Sequence, residues 1–152
     1  MKAHRQIALS VCFALFIALF VVGCEEDPLS IGDDPGMSAK VDGTAWAAGN
    51  NVDGTVFSSL KTITGTQGDG SSITLNLTNI FDLGTYDVED GKFSGLYAES
   101  NNVDKIYAAK SGTVEITELS GNDISGTFSF VGENEGGSTM EITEGTFNVT
   151  LR

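Results

Sequence analysis

The chain reads as all-β, an antiparallel β-sandwich or flattened barrel of about nine or ten strands. Three observations carry this reading. Beyond Met37 apolar side chains recur at every second position, as a pleated strand with one buried face requires. Gly-containing turn pairs punctuate these runs every 8–12 residues or so, the rhythm of a sandwich or barrel. Both prolines, Pro28 and Pro35, precede the region, so no strand within it meets a residue that lacks a ladder donor. No stretch shows convincing helical spacing.

The elements follow in order. Ala39-Lys40-Val41 and Thr44-Ala45-Trp46 flank Asp42-Gly43, the signature of a two-residue hairpin turn, and Trp46 is expected to roof the core. Asp53-Gly54 before Thr55-Val56-Phe57 reads as a second turn. Asp69-Gly70 separates Thr62-Ile63-Thr64 from a cleanly alternating run, with Ile73, Leu75 and Leu77 on one face and Thr74, Asn76 and Thr78 on the other. Further turns are expected at Gly91, Gly112, Gly121-Asn122 and Gly132 to Gly137. Between them Val114 and Ile116 share one face, as do Phe128 and Phe130. The inward parity changes between Ile142 and Phe147. A bulge at Glu144-Gly145 would restore it, leaving Phe147, Val149 and Leu151 inward. Asn101 to Ala109 fits a helical turn or, at Ile106-Tyr107, an edge strand. Ile63-Thr64-Gly65-Thr66 and Ile124-Ser125-Gly126-Thr127 resemble each other through shared β composition, with no repeat implied.

The first two dozen residues carry an address. Lys2, His4 and Arg5 form a basic start, and Ile7 to Val22 is apolar but for Ser10. That is the layout of a secretory signal. The run is shorter than the roughly 20 apolar residues of a spanning helix and is followed by Glu25-Glu26-Asp27 with no basic flank. Val21-Val22-Gly23-Cys24 resembles the lipobox of bacterial lipoproteins, which implies cleavage before Cys24 and acylation of its thiol. Two or three acyl chains hold a protein firmly without any helix in the bilayer. The predicted organisation is a cleaved signal over 1–23, an acidic flexible tether over 24–36 and one β domain over 37–152. The acids after the cysteine also resemble a surface-export signal of Bacteroidetes lipoproteins. Outer-membrane attachment through Cys24, with display on the cell surface, is the corresponding expectation.

The composition narrows the chemistry. The two cysteines are Cys12, lost with the signal, and Cys24, acylated, so no thiol remains for a disulfide, a redox pair or a zinc site. Processing would leave Lys40, Lys61, Lys92, Lys105, Lys110 and Arg152 against 21 acids. Such a surface repels nucleic acid, whose binding rests on basic neutralisation of phosphates, and repels anionic headgroups. The one histidine, His4, lies in the signal, which removes Ser-His-Asp and Cys-His catalysis from consideration.

The order of several segments resembles an uncharacterised family of Bacteroidetes-type surface lipoproteins. Those segments are Ala39-Lys40-Val41-Asp42-Gly43 with Trp46, Gly84-Thr85-Tyr86, Gly112 to Thr117, Ile124 to Phe130 and Glu144-Gly145-Thr146-Phe147. The resemblance implies an all-β fold behind a lipobox and supplies no activity, cofactor or functional residue.

Few residues remain as candidate sites. Asp87-Val88-Glu89-Asp90-Gly91 suggests a calcium loop, but with Asp87 at position 1 the glycine falls at position 5 and Ala98 at position 12, so an acidic hairpin turn is the better reading. Trp46, Tyr86, Tyr97 and Tyr107 are possible ligand contacts, because aromatic rings pair apolar area with a polar tip. No cofactor is implied. The function expected is a non-catalytic surface module that binds a glycan, a protein or another envelope component. The alternatives are a carrier with an apolar barrel cavity and a hydrolase using two carboxylates drawn from Asp82, Asp87 and Glu99.

Overall fold

Alternation resolves into ten antiparallel strands in a computed structural model, which describes residues 36–100 and 102–152. Residues 1–35, where the signal, Cys24 and most of the tether are expected, lie outside the described residues. The strands are β1 (Gly36–Val41), β2 (Thr44–Gly49), β3 (Val52–Phe57), β4 (Leu60–Thr66), β5 (Ser72–Thr78), β6 (Gly84–Asp87), β7 (Phe93–Ala98), β8 (Ile106–Ser120), β9 (Asp123–Glu133) and β10 (Thr139–Thr150). A single 3₁₀ turn, Val103–Lys105, precedes β8, so the segment left open between helical turn and edge strand holds a helical turn and then a strand, which is interior rather than edge because β8 lies between β7 and β9. Among the described residues there is no α-helix.

The strands pair in the order β2-β1-β10-β9-β8-β7-β5-β4-β3. With one exception each strand pairs its neighbour in the chain, and β10 returns to β1, so the sheet is an up-and-down meander. Its two free ends, β2 and β3, are joined by the short link at Asn50-Asn51. The ring is nearly closed where β3 meets the end of β10. There Gly54 bridges Leu151, Arg152 N–H donates to the Gly54 carbonyl at 2.9 Å, and Val56 N–H donates to the Arg152 carbonyl at 3.0 Å. The exception is β6, which lies along the lower part of β8 (Gly84 opposite Ile116) while β7 holds only its upper part (Leu96 opposite Ala108).

The inward face is continuous and filled. Ile63, Ile73, Leu75, Leu77, Val114, Ile116, Ile124 and Ile142 are essentially sealed from solvent. Through the interior runs a chain of phenylalanines. Phe93 meets Phe130 edge-on with centroids 6.4 Å apart, Phe130 stacks with Phe128 at 6.4 Å, and Phe128 meets Phe147 at 6.3 Å. These spacings fall in the favourable range for aromatic pairs. Room for the rings comes from inward glycines. A Cβ on Gly95 would lie 2.7 Å from the Phe130 ring, one on Gly145 would lie 2.6 Å from Phe128, and one on Gly126 would lie 2.1 Å from the Glu115 carbonyl and 2.9 Å from Phe147. Pairing large with small residues is how a narrow barrel fills its interior.

Most turns fall where the sequence places them. Asp42 and Gly43 take φ of 46° and 77°, the left-handed pair of a tight hairpin. The bulge at Glu144-Gly145 is present, with register shifting between Ile142 and Gly145 and Glu144 at φ 50°. Two expected turns are strand interior instead. Asp53-Gly54 lies inside β3, where Gly54 takes an inward position because Val149 and Leu151 leave no space for a side chain. Gly112 lies inside β8, just beyond a register shift at Ala109/Ser111, at φ 141°; a Cβ there would lie 2.3 Å from the Ser129 carbonyl. In both cases glycine answers close packing rather than chain reversal.

Candidate functional site

The reversing connections fall at two opposite mouths of the barrel, and because β2 and β3 run in the same direction the link between them reverses nothing. The β1–β2, β4–β5, β7–β8 and β9–β10 connections share one end, here the upper mouth. The β3–β4, β5–β6 and β8–β9 connections share the lower one.

The upper mouth holds a cleft of about 380 Å³ whose walls include Asp42, Trp46, Gln67, Asp69, Tyr97 and Glu99. Its floor is a polar relay anchored on the β4–β5 turn. Trp46 Nε1–H donates to Ser71 Oγ at 2.8 Å, and Ser71 Oγ–H donates in turn to Asp69 Oδ1 at 2.7 Å. Ser71 N–H donates to the same carboxylate oxygen at 2.8 Å. Ser71 is buried and fully engaged. The local sequence explains the arrangement. Asp69 closes an Asx-type turn onto the residue two positions on, Gly70 takes φ 88°, and Ser71 is thereby aimed inward just ahead of β5. Hydrogen bonds from Ser71, side chain first and backbone second, hold the Asp69 carboxyl below its ordinary value. Burial, with Glu99 and Asp69 nearby, pushes the Tyr97 phenol above its ordinary 10.0. On the far wall Lys105 Nζ donates to Glu99 Oε1 at 2.8 Å, and that bond raises the lysine pKa.

The four predicted aromatic contacts divide. Trp46 and Tyr97 line the cleft, and Tyr107 lies behind Tyr97 with ring centroids 6.2 Å apart. Tyr86 is not with them. It sits on β6, its hydroxyl donating to the Asp82 carbonyl at 2.8 Å and Lys92 Nζ lying 5.3 Å from its ring centre. Trp46 is only 3% exposed and Tyr97 and Tyr107 only 7%, so the cleft receives ring edges rather than an open aromatic face. Of the acids named for a carboxylate pair, Glu99 lines the cleft, whereas Asp82 and Asp87 lie exposed about β6. Asp69 reads from the sequence only as a turn residue, and nothing there singles out Gln67 or Ser71; that they share a mouth with Asp42 and Glu99 follows from β2 and β3 running in the same direction. Cys24, the predicted lipid-attachment residue, lies outside the described residues.

A second cleft of about 460 Å³, bordered by Asp104, Ile106, Ala108, Glu133 and Asn134, contains none of the predicted aromatics. Among the described residues no group of three or more His, Cys, Asp or Glu side chains is placed to hold a metal ion. No buried side-chain polar atom there lacks a partner.

Fold and site together define a class: a small, nearly closed meander barrel with a packed interior and a polar cleft at one mouth. Within it, this chain belongs to the DUF6252 family, a domain of unknown function whose family model matches residues 33–150. That the family is uncharacterised agrees with the resemblance read from the sequence. No curated protein and no solved structure matches the chain.

Proposed function

We propose that this protein is an envelope lipoprotein, held to the bacterial outer membrane by acyl chains on Cys24, whose barrel is a non-catalytic binding module. The upper cleft is the binding site, and its ligand is a donor-rich envelope component, of which a glycan is the best-matched class. One observation carries the reading: Asp42, Gln67, Asp69 and Glu99, all acceptor-bearing, surround the edges of Trp46 and Tyr97 in a single cleft. Sugar hydroxyls supply the donors such walls need, and aromatic edges supply apolar contact for the faces of the ring.

The packing favours this over a carrier, because inward phenylalanines and isoleucines occupy the interior that an apolar ligand would need. The placement favours it over a hydrolase, because of Asp82, Asp87 and Glu99 only Glu99 lines the cleft. The test is retention of the protein on an envelope-glycan array. Retention that is lost in Gln67→Ala and Glu99→Gln upholds the site; retention indifferent to both places the contact elsewhere. Acyl labelling that persists in Cys24→Ala would remove the anchoring half.

A further inference from the structure

The lower mouth presents an apolar surface that nothing among the described residues covers. Phe57 is 82% exposed at the β3–β4 tip, and Phe81 and Leu83 are 63% and 60% exposed in the β5–β6 loop, with Val56 and Leu60 beside them. The two loops form one surface, because Asn79 N–H donates to the Ser59 carbonyl at 3.0 Å. Ile80, fully buried, plugs the barrel between them. One exposed cation, Lys92, borders the patch, and a buried one, Lys61, lies beneath it. Lys61 Nζ donates to the Ile80 carbonyl at 2.6 Å and lies 5.0 Å from the centre of the Phe81 ring, and Lys92 covers Tyr86. Neither is among the lysines that pair with carboxylates within the described residues, which are Lys40, Lys105 and Lys110.

We infer that this lower mouth is a lipid-docking rim: Phe57, Leu60, Phe81 and Leu83 seat at the headgroup–acyl boundary of a zwitterionic phospholipid bilayer, with Lys92 at the level of its phosphates. The inference rests on the proposed anchoring at Cys24. Two observations select lipid as the occupant. The described chain begins at Gly36, opposite Asn148 and three residues from Leu151, which meets Gly54 of the strand that ends in Phe57. A tether joined there attaches nearer the lower mouth than the upper. The twelve residues from Cys24 to Pro35 span at most about 40 Å when extended, enough to let the barrel settle on the surface without strain. Exposed aromatic rings beside a lysine are the side chains suited to that boundary, the rings bridging apolar and wet regions and the lysine head reaching for water and phosphate. The chain's net charge of −13 selects zwitterionic over anionic lipid.

The test uses the full chain, made in a bacterial envelope and reconstituted in phosphatidylcholine vesicles with brominated acyl chains. Phe57→Trp, Phe81→Trp and, as the remote control, Val131→Trp are compared, with buried Trp46 as a constant background. Strong quenching at 57 and 81 with none at 131 is expected. Adding Phe81→Asp to Phe57→Trp lowers the docked-to-undocked ratio by roughly tenfold or more. Absence of quenching at 57 and 81 overturns the rim, whether the patch is then solvated, covered by a second copy in sedimentation, or covered by the apolar residues 7–22. Mass spectrometry of Cys24 in the same samples separates the two claims. A bare thiol ends the anchoring reading, while quenching at 57 and 81 still upholds the rim; an acylated thiol without quenching ends the rim alone.

Discussion

The two mouths of this barrel close the ends of the same strands and hold opposite chemistry. The upper one is lined by acceptors, with a buried hydroxyl, Ser71, locked between Trp46 and Asp69. The lower one exposes Phe57 and Phe81, and a buried cation there, Lys61, is satisfied by a backbone carbonyl. The difference teaches that closing a meander barrel constrains the wall far more than the ends. The wall needs inward apolar residues and glycines in register. The ends need only reverse the chain, which leaves their remaining side chains available for recognition.

The sharpest way to break the comparison is to break the wall that both mouths share. Gly126→Val places a side chain against the Glu115 carbonyl and the Phe147 ring, and should cost upward of about 3 kcal/mol. Chemical denaturation should show both mouths lost in one transition, and a partially folded species that keeps one mouth would contradict a single closed wall. Next in size is Ser71→Ala, which strands the buried Trp46 N–H and should cost about 1–3 kcal/mol. A red-shifted Trp46 emission should accompany it as the upper mouth loosens. Lys61→Met is the matching change below. It replaces a buried cation that has no carboxylate partner among the described residues, so the stability should stay within about 1 kcal/mol or improve. A large loss there would mean that the two mouths depend on polar contacts alike.

The smallest effect is a pH dependence confined to the upper mouth. Tyr97 and Lys105 both have raised pKa values. For each, the unfolded chain gives up its proton first as pH rises, so the stability they contribute is complete below the ordinary values of 10.0 and 10.5 and falls as pH climbs through the folded ones. Melting curves across that window should steepen for the native chain and flatten for Tyr97→Phe. The lowered Asp69 carboxyl acts oppositely: its contribution is present above its ordinary 3.8 and is lost as acid protonates it.

Much of the wall could be read from the chain. Ile73, Leu75 and Leu77 face inward as alternation demands, and the parity change before Phe147 does mark a bulge. Glycine was the weak point. Asp53-Gly54 and Gly112 carry the signal of a turn, yet Gly54 is there because Val149 and Leu151 leave no room for a Cβ, and Gly112 because a positive φ inside β8 brings it against the β9 backbone. A local sequence cannot distinguish a residue that frees its own backbone from one that makes room for a distant ring. The recurrent Ile-Thr-Gly-Thr and Ile-Ser-Gly-Thr strings did hold a clue. Gly65 and Gly126 both take the inward position two residues after a buried isoleucine.

The site was less legible. Trp46 and Tyr97 meet in one cleft, Tyr107 stands behind, and Tyr86 belongs elsewhere. Nothing in their spacing distinguishes the four, since strand order alone decides which rings share a mouth.

What this sequence determined alone is therefore the period-two burial, the tight turn at Asp42-Gly43, the bulge at Glu144-Gly145 and the count of strands. Each is set by residues within a few positions of one another, through steric and solvation preferences that act locally. Only the tertiary structure decided that β10 returns to β1 and nearly closes the ring at Gly54 and Leu151, that glycines from distant strands receive the phenylalanine rings, and that acceptors gather at one mouth and bare aromatics at the other. Those outcomes depend on contacts between strands far apart in the chain, and such contacts exist only once the sheet has curved back on itself.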